Sequence, residues 1–153
     1  MSVHGIRIAD KEKSSKDPSF TFLSPSLVDI LVEIDEPDSY YWRILFLDGT
    51  YQPQEATFLN PYIKKVNESE GGILTSCLDL TFLSKKFFQI FEILLIASRN
   101  KNVLKSYKND EKMYKMCEIV IELIDSAFWE VHTHDESLIL KLKKKFKQTE
   151  LLS

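Results

Sequence analysis

The chain of 153 residues is poor in the residues that shape irregular or cross-linked proteins, with 4 glycines, 5 prolines and 2 cysteines. Scarce glycine and proline predict that most of the chain lies in regular helices and strands. Cys77 and Cys117 are too few for a disulfide scaffold. The alternatives are a single bridge between them and two buried free thiols in a reducing compartment, and we expect the free thiols. The shortage of glycine also leaves no loop suited to cradling a phosphate.

The sequence also lacks the long apolar runs that signal peptides and membrane spans require. Residues 1–15 contain no apolar stretch, and the most hydrophobic window, residues 82–97, is interrupted by charged and polar side chains. That window is too short to cross a bilayer. We therefore expect a single cytoplasmic domain, residues 1–153, that is long enough to bury a real core and has no membrane partner.

A strongly basic segment, which would indicate a nucleic-acid partner, is absent as well. The net charge is -3, with an excess of acidic residues over residues 1–80 and a small excess of basic residues over residues 81–153. Because neither half is strongly basic, the charge distribution argues against dedicated nucleic-acid binding.

Residues 28–47 carry the most regular pattern in the chain. Apolar and polar residues alternate on both sides of a turn at residues 37–39, which predicts an antiparallel β-hairpin. Pairing Ile34 with Trp42 and Val32 with Ile44 keeps both apolar sets on one face, as the register of a sheet requires.

The segments after this hairpin favour helices. Apolar residues at spacings of three and four indicate a buried helix over residues 85–98 and a second helix over residues 110–127. The dipeptide Asp48-Gly49 is typical of a turn. Residues 73–81 fit either a further strand or a helix, and the pattern does not decide between the two.

A capping-box pattern from Thr133 to Glu136 predicts the start of a C-terminal amphipathic helix. The basic run at residues 141–147 lies on its outer face, where it is either a solvated surface or a contact for an anionic partner; the apolar spacing accounts for the pattern without a partner. Together the elements predict an α+β fold, in which three or more helices pack on an antiparallel sheet built around the 28–47 hairpin.

Candidate catalytic residues are few. His132 and His134 would face the same side of a strand and could begin a metal site, but zinc sites use several ligands at recognisable spacings. Cys117 lies at helical spacing among apolar residues, which favours a core position over a nucleophile. The chain contains no nucleophile elbow, phosphate-binding loop, dinucleotide fingerprint or zinc-protease motif. We therefore predict a protein that is not an enzyme and uses no cofactor and no metal.

The acidic and aromatic tip of the predicted hairpin is the best candidate for a functional surface. Carboxylates steer basic partners, and tyrosine provides contact area at small entropic cost. A polar turn that protects a sheet edge from aggregation would have the same composition. The predicted partner-binding residues are Glu33, Asp35, Glu36, Asp38, Tyr40 and Tyr41.

Two segments, EIDEPDSYYWRILFLDGT and FWEVHTHDESLILKLKKKFK, give the chain a resemblance to a known class of proteins. It resembles the small single-domain immunity proteins of bacterial polymorphic-toxin and contact-dependent growth-inhibition systems. The resemblance implies a cytoplasmic, non-catalytic protein that binds a cognate toxin domain and covers its active site. Many such toxins are nucleases with basic clefts, which an acidic surface would plug.

Two other classes of function are consistent with the sequence. A regulatory or scaffold module could use the same sheet edge, including for self-association into a homo-oligomer. A hydrolase or metalloenzyme would need His132, His134 and a carboxylate brought together by the fold.

Overall fold

The computed structural model describes residues 2–152, which form nine strands and five α-helices. The strands are β1 (His4–Ile8), β2 (Lys11–Lys13), β3 (Thr21–Leu23), β4 (Tyr41–Thr50), β5 (Ile73–Thr75), β6 (Gln89–Ser98), β7 (Ile119–Ile124), β8 (Phe128–Thr133) and β9 (Thr149–Leu152). The helices are α1 (Leu27–Leu31), α2 (Ala56–Glu68), α3 (Cys77–Lys86), α4 (Asp110–Met116) and α5 (Glu136–Lys145).

Seven strands form one antiparallel sheet in the order β5-β4-β6-β7-β8-β1-β9, and β2 pairs with β3 in a separate two-stranded ribbon. Helices α1, α2, α3 and α5 cover one face of the sheet and bury the main core. The indole of Trp129 anchors the chain before α1, since its Nε1 donates to Pro25 O at 2.9 Å. Helix α4 packs on the opposite face over a smaller core around Ile96 and Val120. The predicted α+β class is confirmed.

The predicted 28–47 hairpin is wrong in its first arm, because residues 28–31 belong to helix α1 and residues 32–36 are a turn and loop. Ser26 caps this helix: its Oγ accepts from the Asp29 N–H, and the Asp29 carboxylate accepts from the Ser26 N–H. Leu27, Ile30 and Leu31 of this helix are buried at helical spacing, whereas Val32, which the alternation placed on the core face, is 62% exposed. The reciprocal cap satisfies backbone donors that a strand would have offered to a neighbour.

The second arm is a strand, but its neighbours are different from those predicted. Trp42 and Ile44 are fully buried, and they pair with residues of β5 and β6. Asp48 and Gly49 lie inside β4 and not in a turn. A Cβ at Gly49 would lie 2.5 Å from the Gln89 carbonyl oxygen, so glycine serves here for close strand approach.

The helix predicted over residues 85–98 is strand β6, and the helix predicted over residues 110–127 ends at Met116 before β7. These two strands lie in the middle of the sheet, and residues 95–98 of β6 and 119–121 of β7 are buried on both faces. Leu95 faces the main core while Ile96 faces the smaller one. A strand buried on both faces reads as a continuous apolar run, which periodicity does not separate from a buried helix.

The ambiguous residues 73–81 divide between the two alternatives, because β5 ends at Thr75 and α3 begins at Cys77. The C-terminal helix is confirmed as α5, with Leu138, Ile139 and Leu142 buried. Its N-cap is Asp135, two residues after the predicted Thr133.

Candidate protein-binding site

Residues 33–41, here called the acidic loop, run from just after α1 to Tyr41, the first residue of β4, and contain all six predicted partner-binding residues. The loop turns sharply at Glu36, whose φ of 49° is unusual for a residue with a side chain, and continues through a single 3₁₀ turn, Pro37–Ser39. Ser39 Oγ donates to the Glu36 carbonyl oxygen at 2.7 Å. Buried Ile34 fixes the start of the loop in the core.

Two carboxylates of the loop are held by lysines of α5. Lys141 Nζ lies 2.7 Å from Asp35 Oδ1, and Lys145 Nζ lies 3.2 Å from Glu33 Oε2. The hydrogen bond to Asp35 raises the pKa of Lys141, because this contact favours the charged form of the ammonium group. Part of the basic run at residues 141–147 is therefore an internal clamp on the loop and not only a solvated helix face.

Tyr40 is held from the other side of the loop. Its hydroxyl accepts a hydrogen bond from Arg99 Nη2 at 2.8 Å, and the Arg99 guanidinium lies 4.9 Å from the ring centroid. The Tyr40 ring also meets the buried Trp42 edge-on, with centroids 6.4 Å apart. These contacts make Tyr40 a positioning residue for the end of the loop.

The other predicted residues face solvent. The carboxylates of Glu36 and Asp38 are exposed and form no hydrogen bond or ion pair with any part of residues 2–152. Tyr41 exposes 46% of its surface, and its ring has the Lys101 ammonium 5.8 Å from the centroid. The structure thus separates the six residues into a clamped set, Glu33, Asp35 and Tyr40, and an open set, Glu36, Asp38 and Tyr41.

Both candidate histidines, His132 and His134, contact Tyr114. The His132 ring stacks on Tyr114 with centroids 3.7 Å apart, and burial lowers the pKa of His132. His134 Nε2 lies 3.0 Å from the Tyr114 carbonyl oxygen. Among residues 2–152, no three histidine, cysteine, aspartate or glutamate side chains cluster in a way that would hold a metal ion.

Both cysteines are buried and not in a disulfide. Burial raises the pKa of the Cys117 thiol to about 11, and burial also raises the pKa of Cys77. A reactive cysteine requires the opposite shift, because the thiolate is the nucleophile.

Sequence reasoning missed an acidic region on the sheet face that α4 leaves partly open. Glu122 lies directly across the strands from Glu130, and Glu130 is paired with Arg7 at 2.7 Å. Burial, together with the carboxylates of Asp110, Glu130 and Glu92, raises the pKa of Glu122 to about 7. The sequence predicts a helix over residues 119–124, and a helix does not place Glu122 opposite Glu130. The prediction therefore misses this pair of carboxylates.

Comparison with known proteins gives no match to this chain among protein-family models, curated proteins or solved structures. Within residues 2–152, no helix combines the length and apolarity needed to cross a membrane.

Proposed function

We propose that this chain is an immunity-type inhibitor: a non-catalytic protein that binds a basic toxin domain of bacterial origin and covers its active site. The observation that carries the proposal is the arrangement of the acidic loop, in which one set of side chains is clamped and the other faces solvent. The resemblance of the sequence to immunity proteins supplies the class of partner.

The clamp contributes to affinity by ordering the loop before binding. Lys145 bonds to Glu33 and also to the Asp29 carbonyl oxygen at 2.7 Å, while Lys141 holds Asp35. A loop that is fixed in the free protein loses less conformational entropy when it meets a partner.

The open set provides the contacts. The carboxylates of Glu36 and Asp38 would steer a basic cleft towards the loop and pair with its lysine or arginine side chains. Tyr41 would bury its exposed ring against the partner, because tyrosine is enriched among the residues that dominate binding energy. Occlusion of a cleft in this way requires no chemistry from the inhibitor.

The test uses the C-terminal domain of the protein encoded by the neighbouring gene as the probe. Calorimetry of the two purified proteins is expected to give a stable complex whose affinity falls as salt rises. The double variant E36Q/D38N is expected to weaken binding about tenfold or more. E68Q/E70Q, which removes the same charge from exposed positions around the end of α2, is the matched control and is expected to leave binding unchanged.

Two results would overturn the proposal. One is the absence of a complex with this domain combined with no protection of cells that express it. The other is a complex in which E36Q/D38N and E68Q/E70Q behave alike, since that would place the contact away from the acidic loop.

A further inference from the structure

Arg43 of β4 is the arginine that has no carboxylate partner within residues 2–152. Arg7 pairs with Glu130 at 2.7 Å and Arg99 pairs with Glu118 at 3.8 Å, whereas Arg43 forms no ion pair. The side chain of Arg43 is nevertheless half-buried. A buried cation is ordinarily offset by a carboxylate or by several good hydrogen bonds, because burial removes part of its hydration.

The hydrogen bonds of the Arg43 guanidinium are long and incomplete. Its Nη1 lies 3.4 Å from the carbonyl oxygen of Gly71 and 3.5 Å from that of Gly72, at the outer limit for a hydrogen bond. Nε is buried without a partner, and Nη2 makes no hydrogen bond within residues 2–152 although solvent reaches it. Nη2 is therefore the guanidinium nitrogen that is open to a ligand.

Arg43 lines a pocket of about 280 Å³. The other lining residues come from the loop before β5 and from the segment that follows the 3₁₀ turn Lys101–Val103: Glu70, Gly71, Leu104, Lys105 and Ser106. The segment is anchored, because Leu104 is buried and Tyr107 Oη donates to the Val103 carbonyl oxygen at 2.6 Å.

Two further donors of the pocket are unused. The side chains of Lys105 and Ser106 are exposed, and they form no hydrogen bond or ion pair within residues 2–152. The pocket thus places a guanidinium from β4 beside an ammonium group and a hydroxyl group from a second segment. Such a set of donors is suited to an oxyanion.

The charges of the pocket select the kind of oxyanion. Arg43 and Lys105 supply two positive charges and the exposed Glu70 supplies one negative charge, which leaves one positive charge in excess. A carboxylate carries one negative charge, whereas a phosphate group carries about two near pH 7. The volume lies just below the range of about 300–1,000 Å³ that drug-sized ligands occupy, so it suits a small acid or one acidic side chain.

We propose that this pocket, here called the Arg43 pocket, binds a carboxylate group through Arg43 Nη2, the Lys105 ammonium group and the Ser106 hydroxyl group. The bound carboxylate compensates the positive charge that the fold leaves without a partner. The proposal does not depend on the proposed function, since its residues lie outside the acidic loop.

Nuclear magnetic resonance of the ¹⁵N-labelled protein tests the proposal, with sodium acetate replacing sodium chloride at constant ionic strength. Acetate is expected to shift the signals of the Arg43 Nε–H and the Ser106 amide in a saturable way, with a dissociation constant of about 1–10 mM. Sodium phosphate at the same ionic strength is expected to bind at least about threefold more weakly, because its charge exceeds that of the lining.

Charge variants test the contacts. Lys105→Met is expected to weaken acetate binding about fivefold, because it removes one of the two cations. Lys108→Met is the matched control, since Lys108 is exposed in the same segment and does not line the pocket. Glu70→Gln removes the negative charge of the lining and is expected to tighten acetate binding about threefold.

Arg43→Lys keeps the charge but not the guanidinium group, and it is expected to weaken acetate binding about tenfold. Circular dichroism checks that the variant is folded. Lys105 and Glu70 are exposed, so their variants keep the test decisive if Arg43→Lys does not fold.

A blocked tripeptide with one central aspartate distinguishes two sources of the carboxylate. Binding more than about tenfold tighter than that of acetate assigns the pocket to an acidic side chain of a protein. Equal or weaker binding assigns the pocket to a small organic acid. Both results support a carboxylate site.

Three results would overturn the proposal. The first is a set of pocket signals that respond alike to acetate and to chloride. The second is tighter binding of phosphate than of acetate, which would assign the pocket to a different anion. The third is acetate binding that neither Lys105→Met nor Glu70→Gln changes, which would place the bound acid elsewhere.

Discussion

Lys145 Nζ lies 3.2 Å from Glu33 Oε2, although 112 positions separate the two residues in the chain. The same ammonium donates to the Asp29 carbonyl oxygen at 2.7 Å, and this oxygen belongs to the last turn of α1. One lysine of the C-terminal helix thus caps α1 and fixes the start of the acidic loop. The contact joins α5 to the end of α1, and no local sequence pattern predicts that these two elements lie side by side.

Replacement of Lys145 by methionine should lower the free energy of unfolding by about 1 kcal/mol, because partly exposed ion pairs and single hydrogen bonds each contribute about that much or less. Lys144→Met is the control, since Lys144 lies on the same helix and is exposed. Urea denaturation of both variants measures the difference. Equal stabilities would mean that Lys145 does not hold the loop in solution.

Replacement of Lys141 by methionine should speed association with the basic partner proposed above. The ammonium lies 2.7 Å from Asp35 Oδ1 and neutralises part of the loop's charge. Its removal should raise the association rate constant about twofold at low ionic strength, with the gain lost at high salt. Lys143→Met changes the net charge equally, and Lys143 makes no ion pair within residues 2–152. Stopped-flow mixing compares the two, and equal rate constants would contradict the prediction.

Gly72 and Gly71 both have positive φ but differ in the space around them. A Cβ at Gly72 would lie 2.0 Å from the Ile44 carbonyl oxygen, whereas a Cβ at Gly71 would meet nothing within 4 Å. Gly71→Ala should therefore cost about 1–2 kcal/mol of stability from backbone strain alone. Gly72→Ala should cost clearly more, about 3 kcal/mol or above, because β5 must move away from β4. Chemical denaturation measures both, and similar costs would contradict this account.

Both thiols should be protected in the folded protein. With the pKa of Cys117 raised to about 11, the thiolate fraction near pH 8 is roughly one in a thousand, and the side chain is fully buried. We expect Ellman's reagent to react with Cys77 and Cys117 at about the rate of global or local opening, and with both at once in denaturant. Immediate reaction of either thiol in native buffer would show that its surroundings open easily.

Local sequence signals predicted the elements that bury one face better than those that bury both. Strand β8 alternates, with Trp129 and Val131 buried and Glu130 partly exposed on the other face, and α5 is preceded by a clear cap. Both elements bury one face, so their periodicity is visible in the sequence. Strands β6 and β7 are buried on both faces over residues 95–98 and 119–121, and their nearly continuous apolar runs resemble a helix.

The sequence identified the residues of the acidic loop by their composition, but it predicted the wrong structure for the segment that carries them. Its composition identified the six residues, but the hairpin that was expected to present them does not form. Ser26 and Asp29 have the spacing of a helix cap, which indicates α1, but the prediction rested on the alternation of residues 28–34 and did not consider this cap. The division into clamped and open residues depends on Lys141, Lys145 and Arg99, which reach the loop only through the tertiary fold.

Glu122 should make the stability of the protein depend on pH. Its pKa is about 7 in the folded protein and near 4.5 when exposed, so the folded state binds more protons between these values. The free energy of unfolding should therefore fall as pH rises from about 4.5 to about 7, and stay lower above that range.

Replacement of Glu122 by glutamine should remove this dependence. After allowance for the solvent that reaches this sheet face, Glu122→Gln should raise the free energy of unfolding by about 1–2 kcal/mol near pH 8 and change it little near pH 4. Glu68→Gln on exposed α2 serves as the control, with no expected change at either pH. Urea titrations at both pH values give the comparison. If Glu122→Gln were destabilising near pH 8, Glu122 would have to make a favourable ionic contact, and burial beside like charges would not govern its titration.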